Sequence, residues 1–455
     1  MLLYLINPVN LLVGITKVKD NRWNKYRVWK PLSLLVLAGL TPSDWNIKVI
    51  DENLGVPDYA GLPQPDLVGI TAFTSQAARA YQIADEFRQR NVPVVMGGIH
   101  ATIRLEEALE RVDSVVTGEA ESIWVQVLED AKRGCLDRVY KGVHMELDHV
   151  PPARHDLARG YHIGSIQTTR GCPLNCSFCS VTPFNGRRHR HRPIENVVEE
   201  LKLIPEKHVL FVDDNLTGTR KDHIQRTKEL FRAMIEANIK KKWFSQATIN
   251  MADDDELIRL AAKSGCLGVF IGFESPSLEG LIEVNKKFNV QNNRDLRASV
   301  RRIQRHGIMV VGSFILGLDV DEKGIGRQIA DAANSYGLDL LNLMFLTPFP
   351  GTRLWDKMES EGRIIANNFP EDWTYYTLTY PVAKYKNLTW SDMIEENESC
   401  FRSFYSVPRI AKRIFTNRPF TRHPFFSAVS NLSVITNAIR FYRRAYQGLD
   451  LSRDQ

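Results

Sequence analysis

The stretch Cys172-Pro-Leu-Asn-Cys176-Ser-Phe-Cys179 places three cysteines close together with the spacing C-x3-C-x2-C. Thiolates crowded on one loop are the ligands that iron–sulfur clusters take, and a [4Fe–4S] cluster normally takes four of them. The next cysteine along the chain, Cys266, is far away and lies at the end of a predicted buried helix. The spacing therefore predicts a cluster with one iron that lacks a protein ligand and is open to a small molecule.

Two other sites are compatible with these cysteines. Cys176-x-x-Cys179 has the spacing of a thioredoxin-like redox pair. A zinc site would take the cysteines with a fourth ligand, for which His189 and His191 are near enough in sequence. Both alternatives stay open on the spacing alone, and the sequence downstream favours the iron–sulfur interpretation.

Composition limits the class of protein. A chain of 455 residues is expected to hold two or three domains, and its 44% hydrophobic and 25% charged residues are ordinary for a soluble protein. A net charge of +6 does not indicate a nucleic-acid partner, and six cysteines with three in one cluster do not form a disulfide framework. The N-terminus lacks the features of a signal peptide. We therefore expect a cytoplasmic protein, at most peripheral to a membrane.

Residues 1–150 show short apolar segments that alternate with amphipathic ones. The predicted strands are Leu2–Ile6, Ile47–Ile50, Leu67–Thr71, Val92–Met96 and Ser114–Val116, and the predicted helices are Trp29–Leu40 and Ala77–Gln89. This alternation is typical of an α/β fold with a doubly wound, Rossmann-like parallel sheet. Ligands of such sheets bind at the carboxyl ends of the strands, where this chain carries glycines and small hydroxyl side chains.

After a predicted linker at residues 151–163, the same alternation resumes over residues 164–368. The predicted strands are Ile166–Thr168, Val209–Val212, Trp243–Ala247, Val269–Phe273, Met309–Leu316 and Leu341–Leu346. Six βα units predict a partial (β/α)6 barrel, with its chemistry on the loops that follow the strands. The cysteine loop follows the first of these strands, as such a site requires.

Residues 369–455 are predicted to form a mainly helical region that covers the substrate. An aromatic segment, Trp373 to Tyr380, is expected to lie over the mouth of the barrel. From Arg409 to Tyr446, arginines and lysines alternate with apolar residues, which is typical of a basic amphipathic helix. Such a helix either contacts an anionic membrane surface or packs its apolar side on the protein.

The cysteine motif, with Thr169-Arg170-Gly171 before it and Phe178 inside it, resembles the radical S-adenosylmethionine (SAM) superfamily. Two further elements resemble that family, namely Gly272-Phe-Glu274-Ser275 and the turn Pro350-Gly-Thr352. The turns after the N-terminal strands resemble those of the cobalamin-binding domains that precede many of its members. Together these features are similar to the cobalamin-dependent, class B radical SAM methyltransferases.

The resemblance implies the residues of each site. The cluster is held by Cys172, Cys176 and Cys179, and SAM is bound by Phe178, Asp214, Ser245, Gln246, Glu274 and Ser275. The residues implied to contact cobalamin are Thr71, Ser75, Gly97, Gly98, His100, Ala101, Gly118 and Glu119. The chain lacks the Asp-x-His-x-x-Gly motif that ligates cobalt in mutases, so either the cobalt has no histidine below it or the domain has lost the cofactor.

The resemblance also implies the reaction. Electrons from an external donor such as flavodoxin or ferredoxin reduce the cluster, SAM is cleaved to a 5′-deoxyadenosyl radical, and methylcobalamin methylates an unactivated carbon. The substrate is a tetrapyrrole, a lipid-like molecule or a specialised metabolite. The rival functions are radical SAM chemistry without methyl transfer, with the cobalamin domain idle or empty, and a non-catalytic iron–sulfur or zinc binding module.

The run Arg187-Arg-His-Arg-His-Arg192 has two interpretations. A basic run of this kind contacts nucleic acid in some proteins. In the family that the chain resembles, a basic stretch at this place closes the cluster loop and orders it. The run is short and stands alone, so we expect no nucleic-acid partner.

Overall fold

The computed structural model describes residues 1–10, 12, 29–417, 431, 446 and 449–454. The first of its two large sheets has six parallel strands in the order β2-β1-β3-β4-β5-β6. These strands are Leu2–Asn7 (β1), Asn46–Asp51 (β2), Leu67–Thr71 (β3), Val94–Gly97 (β4), Ser114–Thr117 (β5) and Val139–Lys141 (β6). The helices between them are Leu32–Leu40 (α1), Ala77–Arg88 (α2), Ile99–Ile103 (α3), Leu105–Arg111 (α4) and Trp124–Arg133 (α5).

Both faces of the first sheet are covered, because successive side chains of a strand point to opposite faces. Leu3 and Leu5 pack with α1 and α5, whereas Tyr4 and Ile6 pack with α2, α3 and α4. This confirms the predicted doubly wound sheet. The direction of winding changes between β1 and β3, which is where such sheets form a ligand crevice at their carboxyl edge.

The second sheet contains six parallel strands, β7 and β10 to β14, each paired with its neighbour in sequence. With a small antiparallel pair, β8 and β9, the strands are Ile163–Ile166 (β7), Thr169–Arg170 (β8), Arg190–His191 (β9), His208–Phe211 (β10), Lys242–Ala247 (β11), Cys266–Glu274 (β12), Met309–Leu316 (β13) and Leu340–Phe345 (β14). The helices are Val181–Asn185 (α6), Ile194–Leu203 (α7), Lys221–Glu236 (α8), Asp255–Ser264 (α9), Leu278–Glu283 (α10), Leu296–Arg305 (α11), Ile325–Tyr336 (α12) and Arg353–Ser360 (α13). This arrangement confirms the predicted barrel class.

The C-terminal region is mainly helical, with Trp390–Phe404 (α14) and Val407–Asn417 (α15). Before these helices, Trp373 and Tyr376 are buried in the core of the first sheet, beside α2 and α4. The predicted basic helix is described only up to residue 417, and the rest of it lies outside the described residues apart from Asn431 and Tyr446. Among the described helices, none has both the length and the apolar character needed to cross a bilayer.

Three local predictions were wrong, and one short strand was not predicted. The first barrel strand begins and ends earlier than predicted, because the Asp213 carboxylate accepts the backbone N–H groups of Thr168 and Thr169 and draws them out of the sheet. Helix α1 begins at Leu32, after Pro31, and not at Trp29. Strand β6 has only three residues and was missed, and Cys266 begins a buried strand instead of ending a helix. The predicted linker is partly ordered and packs on α1.

The barrel core depends on stacked aromatic rings around Trp243, which is fully buried. Its ring lies 4.8 Å from that of Phe211 and 5.2 Å from that of Phe231, centroid to centroid. We expect Trp243→Ala to lower the free energy of unfolding by about 3–5 kcal/mol, because the cavity left between the sheet and helix α8 can collapse only in part. Val143→Ala, at a side chain that is 63% exposed, is the control and should change it by about 0.5 kcal/mol or less. Equal urea midpoints for the two variants would contradict this account.

Candidate active site

The loop that carries the three cysteines is closed at its base by the short strands β8 and β9. Thr169 pairs with His191 and Arg170 pairs with Arg190, in antiparallel register. Gly171 follows at φ +90°, and a side chain there would collide with the carbonyl oxygen of Arg188. The backbone therefore enters the loop through a conformation that favours glycine.

Three consecutive residues that follow β10, Asp213 to Asn215, contact the cysteine loop and its start. The Asp213 carboxylate binds the start of the loop through Thr168 and Thr169, and burial raises its pKa to about 6. The Asp214 carboxylate accepts the N–H of Gly171 at 2.8 Å and the side-chain amide of Asn185 at 3.0 Å. Asn215 points its side-chain amide at the sulfur of Cys172, 3.8 Å away. Asp214, predicted to bind SAM, is thus already used to shape the loop.

The three cysteines carry free thiols in a mostly buried site. Burial raises the pKa of Cys176 to about 11 and that of Cys179 to about 12, and it also raises the pKa of Cys172. The other three cysteines of the chain, Cys135, Cys266 and Cys400, are also free thiols and lie elsewhere in the sequence. Three thiols that give up their protons to metal fit a cluster with one iron free of cysteine.

A buried lysine is the residue that sequence reasoning missed. Lys286 lies next to the cysteines, and its Nζ is 2.5 Å from the carboxylate of Glu274. Burial by itself lowers the pKa of Lys286, but the negative charge of Glu274 and of the nearby thiols outweighs this and the net shift is upward. Nothing in the local sequence Asn285-Lys-Lys287 marks the first lysine as buried. A fixed ammonium here offsets the charge of three thiolates.

At the end of β12, Glu274 has an uncommon backbone conformation and Ser275 is hydrogen-bonded within the following turn. Glu274 has φ +66°, an uncommon conformation for a residue with a side chain, and is 4% exposed. The hydroxyl of Ser275 accepts the N–H of Ser277 and so helps to form the turn before α10. Phe178 is partly buried against the barrel core. The roles of Glu274, Ser275 and Phe178 toward SAM stay predictions.

One face of the second sheet is less covered than the other. Half-exposed side chains line it in register across the strands, and Gln246 is exposed at its carboxyl end. The apolar members are Leu210, Phe244, Phe270, Val311 and Met344. Ser313 adds a buried hydroxyl without a hydrogen-bond partner, and Asn342 lies beside it. An orphan hydroxyl and an exposed amide on an open face fit a polar ligand such as SAM.

Ser245, which the resemblance implied to bind SAM together with Gln246, does not share this face. Adjacent residues of a strand point to opposite sides. Ser245 pairs with Phe211 and Val269, which belong to the core under the helices, and its hydroxyl donates to the Phe211 carbonyl at 3.3 Å. Of the two, only Gln246 stays a candidate for SAM.

At the carboxyl edge of the first sheet, Thr71, Ser75, Gly97, Gly98 and Gly118 are all partly exposed. Beside them, Phe73 exposes 68% of its side chain, which is unusual for a large apolar ring. The packing of the protein itself explains two of the glycines. A side chain at Gly98 would collide with the Thr71 hydroxyl, and one at Gly118 would collide with the Gly142 carbonyl. Hydroxyls, open backbone and an exposed ring fit a large, flat cofactor.

Three predicted cobalamin contacts are enclosed by protein. His100 is fully buried and bonds to Tyr81 and Glu107, and Ala101 is fully buried beside it. Glu119 is 3% exposed and is held by Arg170 and Arg190. Because these three residues are buried and already bonded or packed, they support the carboxyl edge of the first sheet and do not present atoms to a ligand in this structure.

The carboxyl edges of the two sheets face each other. Arg170, at the base of the cysteine loop, bonds to Glu121 in the turn after β5 at 2.8 Å. The turn after β14 meets α3 of the first sheet, since a side chain on Gly351 would lie 3.0 Å from Ile103. The same turn bonds the cysteine loop, because the N–H of Leu354 donates to the Ser177 carbonyl. Ligands at the two edges would therefore be neighbours.

Family models match both halves of this arrangement. The Radical SAM superfamily matches residues 166–326, and the B12 binding domain matches residues 25–128. The chain is a radical SAM enzyme with a B12-binding domain. These matches confirm the predicted family, and they confirm a [4Fe–4S] cluster, SAM and cobalamin as its cofactors.

Two named relatives and one solved structure are similar to this chain. This radical SAM enzyme is 29% identical over 401 residues to bacteriochlorophyllide d C-12(1)-methyltransferase of Chlorobaculum tepidum, which covers 84% of each chain. It is 27% identical over 346 residues to hopanoid C-2 methylase of Rhodopseudomonas palustris, covering 74% of this chain and 65% of that protein. The structure of the cobalamin-dependent radical SAM enzyme OxsB with aqua-cobalamin bound shares its fold, with a TM-score of 0.67 at 16% identity over 99% of this chain and 76% of that one.

The Glu274–Lys286 pair allows a sharp test of the site. We expect Lys286→Met to lower the free energy of unfolding by about 3–5 kcal/mol, because it leaves the Glu274 carboxylate buried without a partner. The matched double variant, Glu274→Gln with Lys286→Met, removes both charges and should regain most of that loss. Urea unfolding of the cluster-free chains measures both. Equal losses in the single and double variants would contradict the pairing.

Proposed function

We propose that this radical SAM enzyme transfers a methyl group by way of cobalamin to an unactivated carbon of a tetrapyrrole, a lipid-like molecule or a specialised metabolite. The observation that carries the proposal is the facing of the two carboxyl edges, one with the cysteine loop and the other with the B12-binding turns. Neighbouring ligand sites suit a reaction in which one group activates a carbon and the other methylates it. The relatives named as a methyltransferase and a methylase support it.

When bound, the cluster and SAM supply radical chemistry and cobalamin carries the methyl group. The chain's own residues hold these groups in place. Cys172, Cys176 and Cys179 would ligate the cluster, and the Lys286 ammonium offsets their charge. Gln246 on β11, with Ser313 on β13 and Asn342 on β14, would orient the polar parts of SAM.

The open face of the barrel supports a mainly apolar substrate. Its half-exposed members are mostly aliphatic and aromatic side chains. A flat ring system would bury such side chains at a gain of about 25 cal/mol per Å² of apolar surface. An external one-electron donor, such as flavodoxin or ferredoxin, completes the reaction.

Contact with a membrane through the predicted basic helix receives little support from its described part. Arg409 pairs with Asp331 of α12, and Arg413 lies 3.9 Å from the ring of Phe404. Both arginines therefore interact with the enzyme's own helices. Any contribution of the segment after residue 417 stays a prediction.

The test of the function uses anoxic protein loaded with iron, sulfide and cobalamin, a strong reductant and SAM with a trideuterated methyl group. We expect 5′-deoxyadenosine to form and a bacteriochlorophyllide or hopanoid probe to gain a trideuterated methyl group. Cys176→Ala should abolish both products, because an iron loses its ligand. Cys135→Ser, at an exposed free cysteine, is the control and should keep both.

The outcomes separate the rival functions. Cleavage of SAM without deuterated methyl in any product, in protein that holds cobalamin, would favour radical chemistry without methyl transfer. No cleavage in protein with a full cluster would favour a non-catalytic iron–sulfur module. Cleavage that survives Cys176→Ala in folded protein would overturn the assignment of the cysteines.

A second variant tests where cobalamin binds. Phe73→Ala should weaken cobalamin binding about 10-fold to 100-fold, since the loss of an aromatic contact is worth about 1.5–3 kcal/mol. Iron content should not change. Leu278→Ala, at a side chain on α10 that is 52% exposed, is the matched control. Unchanged cobalamin affinity in Phe73→Ala would contradict placement of the cofactor at this edge.

A further inference from the structure

Three histidines form a group that the reaction does not use. His189 and His191 flank Arg190 at the end of the cysteine loop, and His223 lies in the first turn of α8. Nitrogens of the three rings lie within 4.8 Å of one another. The ring centroid of His189 is 4.7 Å from that of His191 and 4.4 Å from that of His223.

The hydrogen bonds of His189 orient one nitrogen toward a ligand. Its Nε2 lies 2.7 Å from the carbonyl oxygen of Asn215, and a carbonyl only accepts, so Nε2 carries the proton. This leaves the lone pair on Nδ1, which has no hydrogen-bond partner and is buried. A histidine that donates one ring N–H to a carbonyl and offers the other nitrogen is the arrangement of most histidine ligands to metals.

The rings of His191 and His223 also have a nitrogen without a hydrogen-bond partner. The Nδ1 atoms of His191 and His223 are also buried without a partner. Buried polar atoms are nearly always hydrogen-bonded, and three orphan imidazole nitrogens in one place require an explanation. His223 also has the Asp222 carboxylate 4.0 Å from its Nε2. Gly218 makes room for the His223 ring, because a side chain there would lie 2.4 Å from His223 Nδ1.

We propose that His189, His191 and His223 bind a Zn²⁺ ion, at a site separate from the cysteine loop, with water as the fourth ligand. Three imidazoles and an open position suit this ion. Zinc–nitrogen bonds of about 2.0–2.1 Å bring tetrahedral ligands to about 3.4 Å of each other, so small rotations of the rings complete the site. The Arg226 guanidinium nearby opposes a cation, whereas the carboxylate of Asp222 favours one.

The site would brace the cluster. His189 bonds the backbone of Asn215, whose side chain points at the sulfur of Cys172. A metal would tie the end of the cysteine loop to helix α8, on the side of the loop that β9 closes. Zinc binding at these histidines is independent of methyl transfer, and zinc content can be measured without turnover.

The experiment uses the full chain with its [4Fe–4S] cluster assembled under anoxic conditions. The protein is incubated with ZnCl2 and desalted over a weak chelator, and zinc and iron are counted by mass spectrometry. We expect about one zinc ion per chain, with nitrogen or oxygen neighbours only, at about 2.0–2.1 Å in X-ray absorption at the zinc edge. Zinc should also slow the loss of iron to a chelator.

Two variants and one control decide the ligands. His191→Phe and His223→Phe keep a ring in place and should each weaken zinc binding at least about 10-fold, with iron content unchanged. His208→Phe, on β10 and outside the group, should bind zinc as the parent does. Less than about a tenth of an ion per chain in iron-loaded protein would overturn the proposal, as would sulfur neighbours at about 2.3 Å, which place zinc on the cysteines. Retention of zinc by both variants would overturn it as well.

Discussion

The buried carboxylate of Glu119 is the interaction on which the arrangement of the two sheets depends. It follows the fifth strand of the first sheet and is bound by Arg170 and Arg190, which form the base of the cysteine loop in the second. Burial alone raises the pKa of Glu119, but the two guanidinium groups outweigh it and hold the pKa below its ordinary value. A charge so enclosed is tolerable only while its partners remain, so the ion network fixes the loop against the edge of the first sheet.

The remaining contacts of the cysteine loop act on a loop whose base this ion network already holds in place. With the base of the loop fixed, Asp214 and Asn215 shape it from the second sheet, and Lys286 supplies positive charge beside the sulfurs. The open barrel face then begins where the loop ends, with Gln246 at its carboxyl end. Buried, paired charges thus fix the geometry of the site, and the apolar cores of the two sheets stabilise the fold that carries it.

Much of this architecture was predictable because it depends on local pattern. The cysteine spacing, the apolar strands and the glycine turns are all short-range features, and the strands were placed to within a few residues. The exceptions have causes that the local pattern does not show. Strand β7 ends early because Asp213, distant in sequence, takes its backbone N–H groups, and β6 is too short to show a pattern. Ser245 was misjudged because two adjacent residues of a strand cannot face the same side.

The cysteine spacing, the two parallel sheets and the carboxyl edges where ligands of such sheets bind could all be read from the sequence, since each follows from spacing or from apolar periodicity. Which polar side chains remain available to a ligand depends on the packing of distant segments. His100 and Glu119 look like ligand contacts in the sequence, yet His100 is bonded to Tyr81 and Glu107, and Glu119 is bonded to Arg190, 71 residues away along the chain. Burial and charge pairing are properties of the packed molecule, so the pairing of Lys286 with Glu274 and the position of His223 beside His189 and His191 became visible only there.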